Sequence, residues 1–382
     1  MPWQPRGLMD VKREFVQLAL QAGVNRRELC RRFGIGPKAA YALLARYERE
    51  GEAAFVERSR RPLGSPGKTP AAMEAALVQL RKAHPAWGGR KLARRLSEMG
   101  HVDVPSPSTV TAILRRHGLV SAEASEAAQH WQRFEHEAPN SLWQIDFKGY
   151  FDTAAGRCHP MTLLDDHSRF NLALHACRRP DTAHVQSQLV NVFERYGLPE
   201  RINADNGLPW GTPSRAESGL SALSVWLIRQ GISVSHSTPY HPQTNGKLER
   251  FHRSLKAEVL NGMSFRDLDQ VQSAFERWRG VYNHERPHEA LGLQTPMQRY
   301  RPSPRSYASQ LPEIEYAPDD IVLKVPDKGW LKFRGITVRM SEALYRLPVA
   351  LRPVAGSDGC FDVYFCHQRF MRLDMNALTA SN

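Results

Sequence analysis

The 382-residue chain carries 52 Lys and Arg against 39 Asp and Glu, a formal net charge of +13. This length exceeds one ordinary domain and predicts two to four domains. No apolar run approaches the ~18 residues needed to span a bilayer, and the first residues lack a signal-peptide pattern. We therefore expect a cytoplasmic protein rather than a membrane protein. The five cysteines are widely spaced, which argues against a disulfide framework.

The excess positive charge is concentrated in the first third of the chain. Residues 1–120 contain 22 Lys and Arg against 10 Asp and Glu, whereas residues 121–382 contain 30 and 29. A basic arm joined to near-neutral domains is typical of proteins that hold a polyanion through their terminal modules, and nucleic acid is the first candidate.

Stretches rich in Pro, Gly, Ser or Ala separate four candidate domains. The predicted organisation is a helix-turn-helix domain (1–57), a basic linker (58–70), a second helix-turn-helix domain (71–120), a linker (121–138), an α/β core (139–300), a linker (301–312) and a C-terminal β domain (313–382).

The first module has helical periodicity. Val11, Phe15 and Leu18 share one face of a predicted helix, Asn25 begins a second helix and Pro37 a third. Two helices joined by a short Gly-containing turn predict a helix-turn-helix, whose second helix can enter the major groove. A solvated basic three-helix bundle without a DNA role is the alternative.

The second module repeats this pattern. A helix is predicted over residues 71–83, and Leu92, Leu96 and Met99 form the apolar face of the next helix. Ser106 caps a third helix. Basic side chains of the two modules and their linker are the predicted DNA contacts: Arg26, Arg27, Arg31, Lys38, Arg60, Arg61, Arg90, Lys91, Arg94 and Arg115.

The middle third alternates between strand and helix patterns. Three strands, a helix, a strand, a helix, a strand and a helix are the order of a ribonuclease-H-like α/β domain. The predicted elements are strands 143–151, 159–164 and 170–177, helix 181–196, strand 201–204, helix 218–230, strand 232–235 and a helix from about residue 245.

Three carboxylates occupy corresponding places in these elements. Asp146 lies on the first strand, Asp205 follows a strand expected beside it, and Glu249 lies in the first turn of the last helix. Carboxylates brought together repel one another unless a cation lies between them, and hard oxygen ligands favour Mg²⁺ or Mn²⁺. Two such ions can activate a nucleophile and stabilise the leaving oxygen of a phosphodiester. A surface i, i+4 pair of Glu249 with Arg253 is the alternative.

The motifs around these acids resemble those of the integrase-type DDE transposases of bacterial insertion sequences. The matching stretches are Trp143-Gln144-Ile145-Asp146, Leu164 to Arg169 (LDDHSR), Asp205-Asn206-Gly207, residues 241–258 (HPQTNGKLERFHRSLKAE) and Tyr282 to His288 (YNHERPH).

This resemblance implies Asp146, Asp205 and Glu249 as both the catalytic and the metal-binding triad, holding two Mg²⁺ ions with Mn²⁺ as a substitute. It implies cleavage at element ends and transfer of the 3′-ends into target DNA. The expected partners are double-stranded DNA, at terminal inverted repeats and at target sites, and further copies of the chain in a dimer or larger assembly. The expected location is bacterial, associated with the nucleoid.

The spacing of the triad departs from the usual pattern. Asp205 and Glu249 are separated by 43 residues, whereas the family commonly leaves about 35. The surplus is expected in the Gly- and Pro-rich stretch 208–218, and Glu217 within it is the alternative acid.

Other polar residues near the triad have weaker predictions. Asp165 is expected to hold a turn, with a metal role for it or Asp166 as the alternative. His236 and His241 are expected to contact DNA or pack a loop. Basic and polar groups beside Glu249 are predicted DNA contacts: Asn245, Lys247, Arg253 and Lys256.

The last third shows β alternation around a Gly-Ser-Asp-Gly turn at residues 356–359. A small antiparallel barrel is predicted, and the resemblance makes it SH3-like. The expected fold is therefore multidomain, with helical modules, a ribonuclease-H-like core and a β-barrel. Two other functions stay open: a DNA-binding regulator whose core only dimerises, and a nuclease that hydrolyses without joining.

Overall fold

A computed structural model describes residues 7–57, 67–120, 136–205, 207, 209–211, 220–236 and 246–380. Two compact units, residues 1–68 and 69–382, divide the chain, and each is described by itself. No helix in these ranges is both long and apolar enough to cross a membrane. All five cysteines are free thiols, as the sequence predicted.

The first unit contains three helices around a small apolar core. They are α1 (Leu8–Ala19), α2 (Arg26–Arg32) and α3 (Pro37–Glu50), followed by a 3₁₀ turn at Gly51–Phe55. The Asn25 side chain accepts a hydrogen bond from the backbone N–H of Arg27 and caps α2. The predicted helix starts at α2 and α3 are therefore confirmed.

The second helical module belongs to the second unit and consists of α4 (Ala71–Ala83), α5 (Gly89–Glu98) and α6 (Pro107–Arg116). A side chain at Gly89 would bring its Cβ within 2.5 Å of Thr111 Oγ1, so glycine lets α5 approach α6. Met99, predicted on the apolar face, is instead 55% exposed, because α5 ends at Glu98 and Met99 lies beyond its buried stripe.

The core follows the predicted order with one difference. Residues 143–151 form two strands instead of one, because Gly149 has a φ of 88° and turns the chain. The elements are β1 (Trp143–Phe147), β2 (Phe151–Thr153), β3 (Gly156–Asp165), β4 (Asn171–Cys177), α7 (Thr182–Tyr196), β5 (Arg201–Ala204), α8 (Ala222–Arg229), β6 (Ser233–His236), α9 (Gly246–Leu255), α10 (Leu268–His284) and α11 (Pro296–Arg299).

The core strands form a mixed sheet. The strands follow the order β2-β3-β1-β5-β6, and β4 also pairs with β3. Strand β1 is antiparallel to β3 and parallel to β5. Successive side chains point to opposite faces: Ile145 and Leu163 pack with the cluster around α7 and α8, whereas Leu164 and Leu174 pack with the cluster around α9 and α10.

The C-terminal region consists of strands and one short helix. They are β7 (Ile321–Lys324), β8 (Trp330–Phe333), β9 (Ile336–Arg339), β10 (Pro348–Pro353), β11 (Cys360–Phe365), β12 (Gln368–Asp374) and α12 (Met375–Ala380). The strands form a four-stranded sheet, β12-β11-β10-β7, and a separate β8-β9 hairpin. Over the described residues this is not a closed barrel, so the predicted SH3-like barrel is not confirmed.

This C-terminal region packs directly on the core sheet, and its buried residues join the same apolar cluster. Gln368 accepts a hydrogen bond from the Val234 N–H at 3.1 Å and donates one to the Val234 carbonyl at 3.2 Å. Its amide therefore pairs with the outer edge of β6. In the stretch predicted as a linker, Arg305 donates to the carbonyls of Pro199 and Gly231, so this stretch is bound to the core.

Candidate active site

Asp146 lies on β1, and Asp205 directly follows β5, the parallel neighbour of β1. The pairing of β1 with β5 aligns Trp143 with Ile202 and Gln144 with Asn203. Each acid is therefore two residues beyond the last paired residue of its chain segment, Gln144 or Asn203. This is the arrangement expected from the sequence, and it arises because carboxyl ends of adjacent parallel strands meet at one edge of a sheet.

Glu249 lies in the first turn of α9. Leu248, Phe251 and Leu255 are almost completely buried and hold this helix on the sheet face that contains Leu164. Glu249 projects from the exposed side of the helix. The helix therefore has an apolar face toward the sheet and a polar face that carries Glu249.

Two polar contacts attach α9 to the core. The ammonium of Lys247 forms an ion pair with the Asp166 carboxylate. His252 Nε2 lies 3.1 Å from Thr162 Oγ1, and Thr162 is the direct partner of Asp146 in the β1–β3 ladder.

The pKa of Asp146 is influenced by the other two acids. Burial raises the pKa of Asp146 to about 7, and the negative charges of Asp205 and Glu249 contribute to this increase. A carboxyl group in such surroundings favours either a proton or a cation. The same burial lowers the pKa of His252 to about 4, so its imidazole is neutral at physiological pH.

The acids are not drawn tightly together. Among the described residues, no three His, Cys, Asp or Glu side chains lie close enough to hold one metal ion. The donor chemistry, three hard carboxylates, fits a divalent cation such as Mg²⁺.

The turn after β3 is built on two buried aspartates. Asp165 accepts hydrogen bonds from the backbone N–H and the hydroxyl of Ser168, which confirms its predicted turn-holding role. Asp166 is bound by Lys247 and by the Gln144 amide. Sequence reasoning missed Gln144 and assigned no partner to Asp166.

The predicted DNA contacts of the first unit lie on its surface. Arg26, Arg27, Arg31 and Lys38 are exposed, and Arg31 forms an ion pair with Glu28 at 3.0 Å. Arg60 and Arg61 lie outside the described residues.

The basic side chains of the second module point in different directions. Arg90 and Arg115 are exposed, and exposed Arg94 pairs with Glu98 at 2.9 Å. Lys91 is half-buried near Glu258 and Arg286 of the core, and burial lowers its pKa to about 8. The prediction of Lys91 as an exposed DNA contact therefore needs correction, because α5 turns this side of the module toward the core.

Among the residues near Glu249, Arg253 and Lys256 are exposed, consistent with access to a ligand. Lys247 is not exposed in this way, because Asp166 holds it. His236 contacts the Asp205 carbonyl through Nδ1 at 2.9 Å, which is a loop-packing contact. Glu217, His241 and Asn245 lie outside the described residues.

Thr162 and Gln144 are further residues that the sequence reasoning did not identify. Both lie on the face of the sheet that carries Asp146, Gln144 two positions before it and Thr162 opposite it. Period-two alternation along β1 is the signal that could have identified Gln144. Thr162 could not be found this way, because its pairing depends on the register between strands.

Five known protein families match successive stretches of the chain. A family described as "Integrase core domain" matches residues 136–242, and a second family of the same description matches 230–296. Residues 11–62 match "Helix-turn-helix domain" and 39–114 match "Homeodomain-like domain". Residues 320–381 match "IS481 family transposase, C-terminal domain".

Individual relatives include insertion-element proteins. The chain is 27% identical over 244 residues to the IS476 39.2 kDa protein of Xanthomonas euvesicatoria, covering 61% of this chain and 66% of the relative. It is 26% identical over 159 residues to the IS407 31.7 kDa protein of Burkholderia multivorans, covering 42% and 54%. The chain thus spans less than two thirds of either relative's length.

Solved structures with partial similarity include a simian T-cell lymphotropic virus intasome. It shares 18% identity with a TM-score of 0.36 and covers 75% of this chain and 91% of the matched chain. The HTLV-2 integrase catalytic core in complex with magnesium shares 18% identity with a TM-score of 0.31, covering 43% and 99%. TM-scores this low do not show that these structures share the overall geometry of this chain. The family matches along the chain carry the assignment: the protein contains helix-turn-helix domains, an integrase core domain and a C-terminal domain of the kind found in IS481 family transposases.

Proposed function

We propose that this protein is a DNA transposase that binds the terminal inverted repeats of its own element, cleaves DNA strands there and joins the 3′-ends to target DNA. The observation that carries this proposal is geometric: Asp146 lies on β1, Asp205 directly follows the parallel strand β5, and Glu249 lies on the helix that packs against the same sheet. The family assignment and the insertion-element relatives support it.

Asp146, Asp205 and Glu249 would hold the metal, which we take to be two Mg²⁺ ions that Mn²⁺ can replace. When bound, divalent ions activate the attacking oxygen and stabilise the leaving oxygen of a phosphodiester. The chain's own contribution is to present three carboxylates from two strands and a helix. Partial burial of Asp146 raises its pKa and strengthens its attraction for a cation.

The helical modules would supply DNA affinity. Exposed Arg26, Arg27, Lys38 and Arg115 can neutralise phosphates, and the second helix of each helix-turn-helix, α3 or α6, can enter the major groove. Two element ends must be joined in one reaction, so we propose a dimer or larger assembly on DNA.

A substitution at Asp205 tests this proposal. Asp205→Asn keeps the shape of the side chain but removes its charge, so strand joining with Mg²⁺ should fall by at least about 100-fold. Binding to terminal-repeat DNA should stay within a few-fold. Joining is measured with pre-cut repeat ends and a plasmid target.

Asp152→Asn is the matched control, because Asp152 is an exposed carboxylate on β2. It should join DNA at the wild-type rate. Full joining by Asp205→Asn would show that the triad assignment is wrong, and hydrolysis without joining by the wild type would favour a nuclease.

A further inference from the structure

A buried ionic contact beside the proposed active site has no part in DNA binding or metal ligation as proposed above. Asp166 is 2% exposed and follows β3. It accepts hydrogen bonds from the Lys247 ammonium, from Gln144 Nε2 at 2.9 Å and from the His136 backbone N–H at 3.0 Å. Burying a charge pair costs desolvation energy, and several converging donors are needed to offset it.

The contact joins two of the elements that carry the proposed catalytic acids, β1 and α9. Gln144 precedes Asp146 by two positions on β1, so both side chains lie on the same face of the sheet. Lys247 precedes Glu249 by two positions in the first turn of α9. Asp166 therefore links the start of the helix to the strand that bears Asp146.

A second contact lies on the other side of Glu249. His252, one turn later in α9, meets the Thr162 hydroxyl, and Thr162 pairs with Asp146 across the sheet. Glu249 thus lies between two attachments, one to Thr162, which pairs with Asp146, and one to Asp166, which is bound by Gln144 on the same strand as Asp146. The first turn of a helix lacks some of its backbone hydrogen bonds, so these side-chain attachments add restraints where the backbone supplies few.

We propose that the Lys247–Asp166 ion pair and the His252–Thr162 hydrogen bond are positioning contacts that set the Glu249 carboxylate relative to Asp146 for divalent-cation binding. The inference rests on the proposed function, since it assumes that Glu249 is a ligand. It gives Lys247 a role in geometry rather than in phosphate contact. A ligating group must be held within roughly 0.5 Å of its productive position.

The test uses the full-length protein with Lys247→Met and, separately, Thr162→Val. Mn²⁺ binding is measured by electron paramagnetic resonance without DNA, and strand joining is measured against Mg²⁺ concentration. Both variants should bind Mn²⁺ about 10–100-fold more weakly, the usual cost of losing a group that orients a ligand. Lys247→Arg keeps the charge and should recover most of the affinity.

The direction of the change in Mn²⁺ affinity distinguishes displacement of the ligands from the loss of a positive charge. Removing a positive side chain near three carboxylates should by charge alone tighten cation binding, so weaker binding by Lys247→Met indicates displaced ligands. Arg250→Met is the matched control, because Arg250 is an exposed cation on the same helix. It should bind Mn²⁺ at least as tightly as the wild type.

Unchanged Mn²⁺ affinity in Thr162→Val and Lys247→Met would overturn the proposal. The proposal would also be overturned if Lys247→Met weakened DNA binding and lowered the number of ions released on binding by about one. That pair of changes is the signature of a phosphate contact. If Lys247→Met fails to fold, the Mn²⁺ affinity of Thr162→Val decides the test. If the wild type binds Mn²⁺ but does not join DNA, the proposed function fails while the positioning inference still stands or falls on Mn²⁺ affinity.

Discussion

Arg95 on α5 and Glu285 at the end of α10 form an ion pair in which Nη2 and Oε2 are 2.5 Å apart. Val281 of α10 packs against the apolar cluster of the same helical module. The second module is therefore docked on the catalytic core, whereas the first module forms a unit of its own. Two modules that look alike in sequence differ in their attachment.

Reversing the charge of Arg95 should loosen this docking. Arg95→Glu places two like charges together, and partly exposed ion pairs contribute about 0.2–1 kcal/mol, so the melting temperature should fall by about 1–4 °C. Hydrogen exchange of the α5 amides should accelerate. The double variant Arg95→Glu/Glu285→Arg should restore both values, whereas Arg94→Glu should leave docking intact because Arg94 pairs within α5. Equal effects of Arg95→Glu and Arg94→Glu would contradict this interpretation.

The stability of the metal-free protein should depend on Asp146. Its pKa is raised from 3.8 to about 7, so the fold favours the protonated carboxyl and stability is lost as pH rises from about 4 to 7. Asp146→Asn removes this loss. At pH 8 without metal the variant should be more stable than the wild type, by at most about 4 kcal/mol, as measured by urea unfolding.

The same comparison at pH 4 provides the control, since Asp146 is protonated there and the difference should disappear. Added Mg²⁺ should stabilise the wild type but not the variant at pH 8, because a cation binds the deprotonated carboxylate. A variant that is less stable at pH 8 without metal would contradict the assigned pKa.

Removing the first unit should separate DNA affinity from folding. A chain that begins after residue 68 keeps the docked module, so its melting temperature should match that of the second unit in the full chain. Its affinity for terminal-repeat DNA and the salt dependence of binding should both decrease, because phosphate contacts are lost. Deletion of residues 1–120 should also lower stability, since it exposes the α10 surface around Val281. Undiminished DNA affinity in the shorter deletion would assign the binding to the second unit.

Lys91 and Arg115 should differ in their effect on DNA binding. Arg115 is exposed on α6, and Arg115→Ala should weaken binding and reduce the salt dependence by about one ion. Lys91 faces the core, so Lys91→Met should leave DNA affinity within two-fold. Fluorescence anisotropy at several salt concentrations measures both. A matching loss for Lys91→Met would place that side chain on DNA.

Gln368 should protect the outer edge of the core sheet. Gln368→Leu removes both hydrogen bonds to Val234 and leaves buried backbone groups without them, which costs about 1–3 kcal/mol. The Val234 amide should exchange faster, and urea unfolding should shift to lower concentration. His367→Leu, a change at the neighbouring position, should leave the Val234 amide protected.

Local sequence patterns determined the helices, most strands and the candidate acids. Asn25, Pro37 and Ser106 mark helix starts that the structure retains, because capping and proline effects act within a few residues. Glu249 could be placed on a helix whose apolar side is buried, since periodicity reads one face directly.

Contacts between residues far apart in the sequence could not be predicted from these local patterns. The exposed or buried state of Lys91 and Lys247 depends on which surface each helix turns to the core, and basic side chains look alike in sequence. Likewise, the edge pairing of Gln368 follows from a contact with Val234, a residue more than 100 positions away, and the open sheet of the C-terminal region depends on how its strands pair.

The net charge of +13, the module order and the three carboxylates are determined by the sequence itself, because each depends only on residue identity and local spacing. Tertiary structure decided which charges are available to DNA and which hold the protein together. Lys247 and Arg95 count toward the same positive total as Arg115, but the first two are paired across the fold. Burial and pairing depend on three-dimensional proximity, which a linear pattern does not contain.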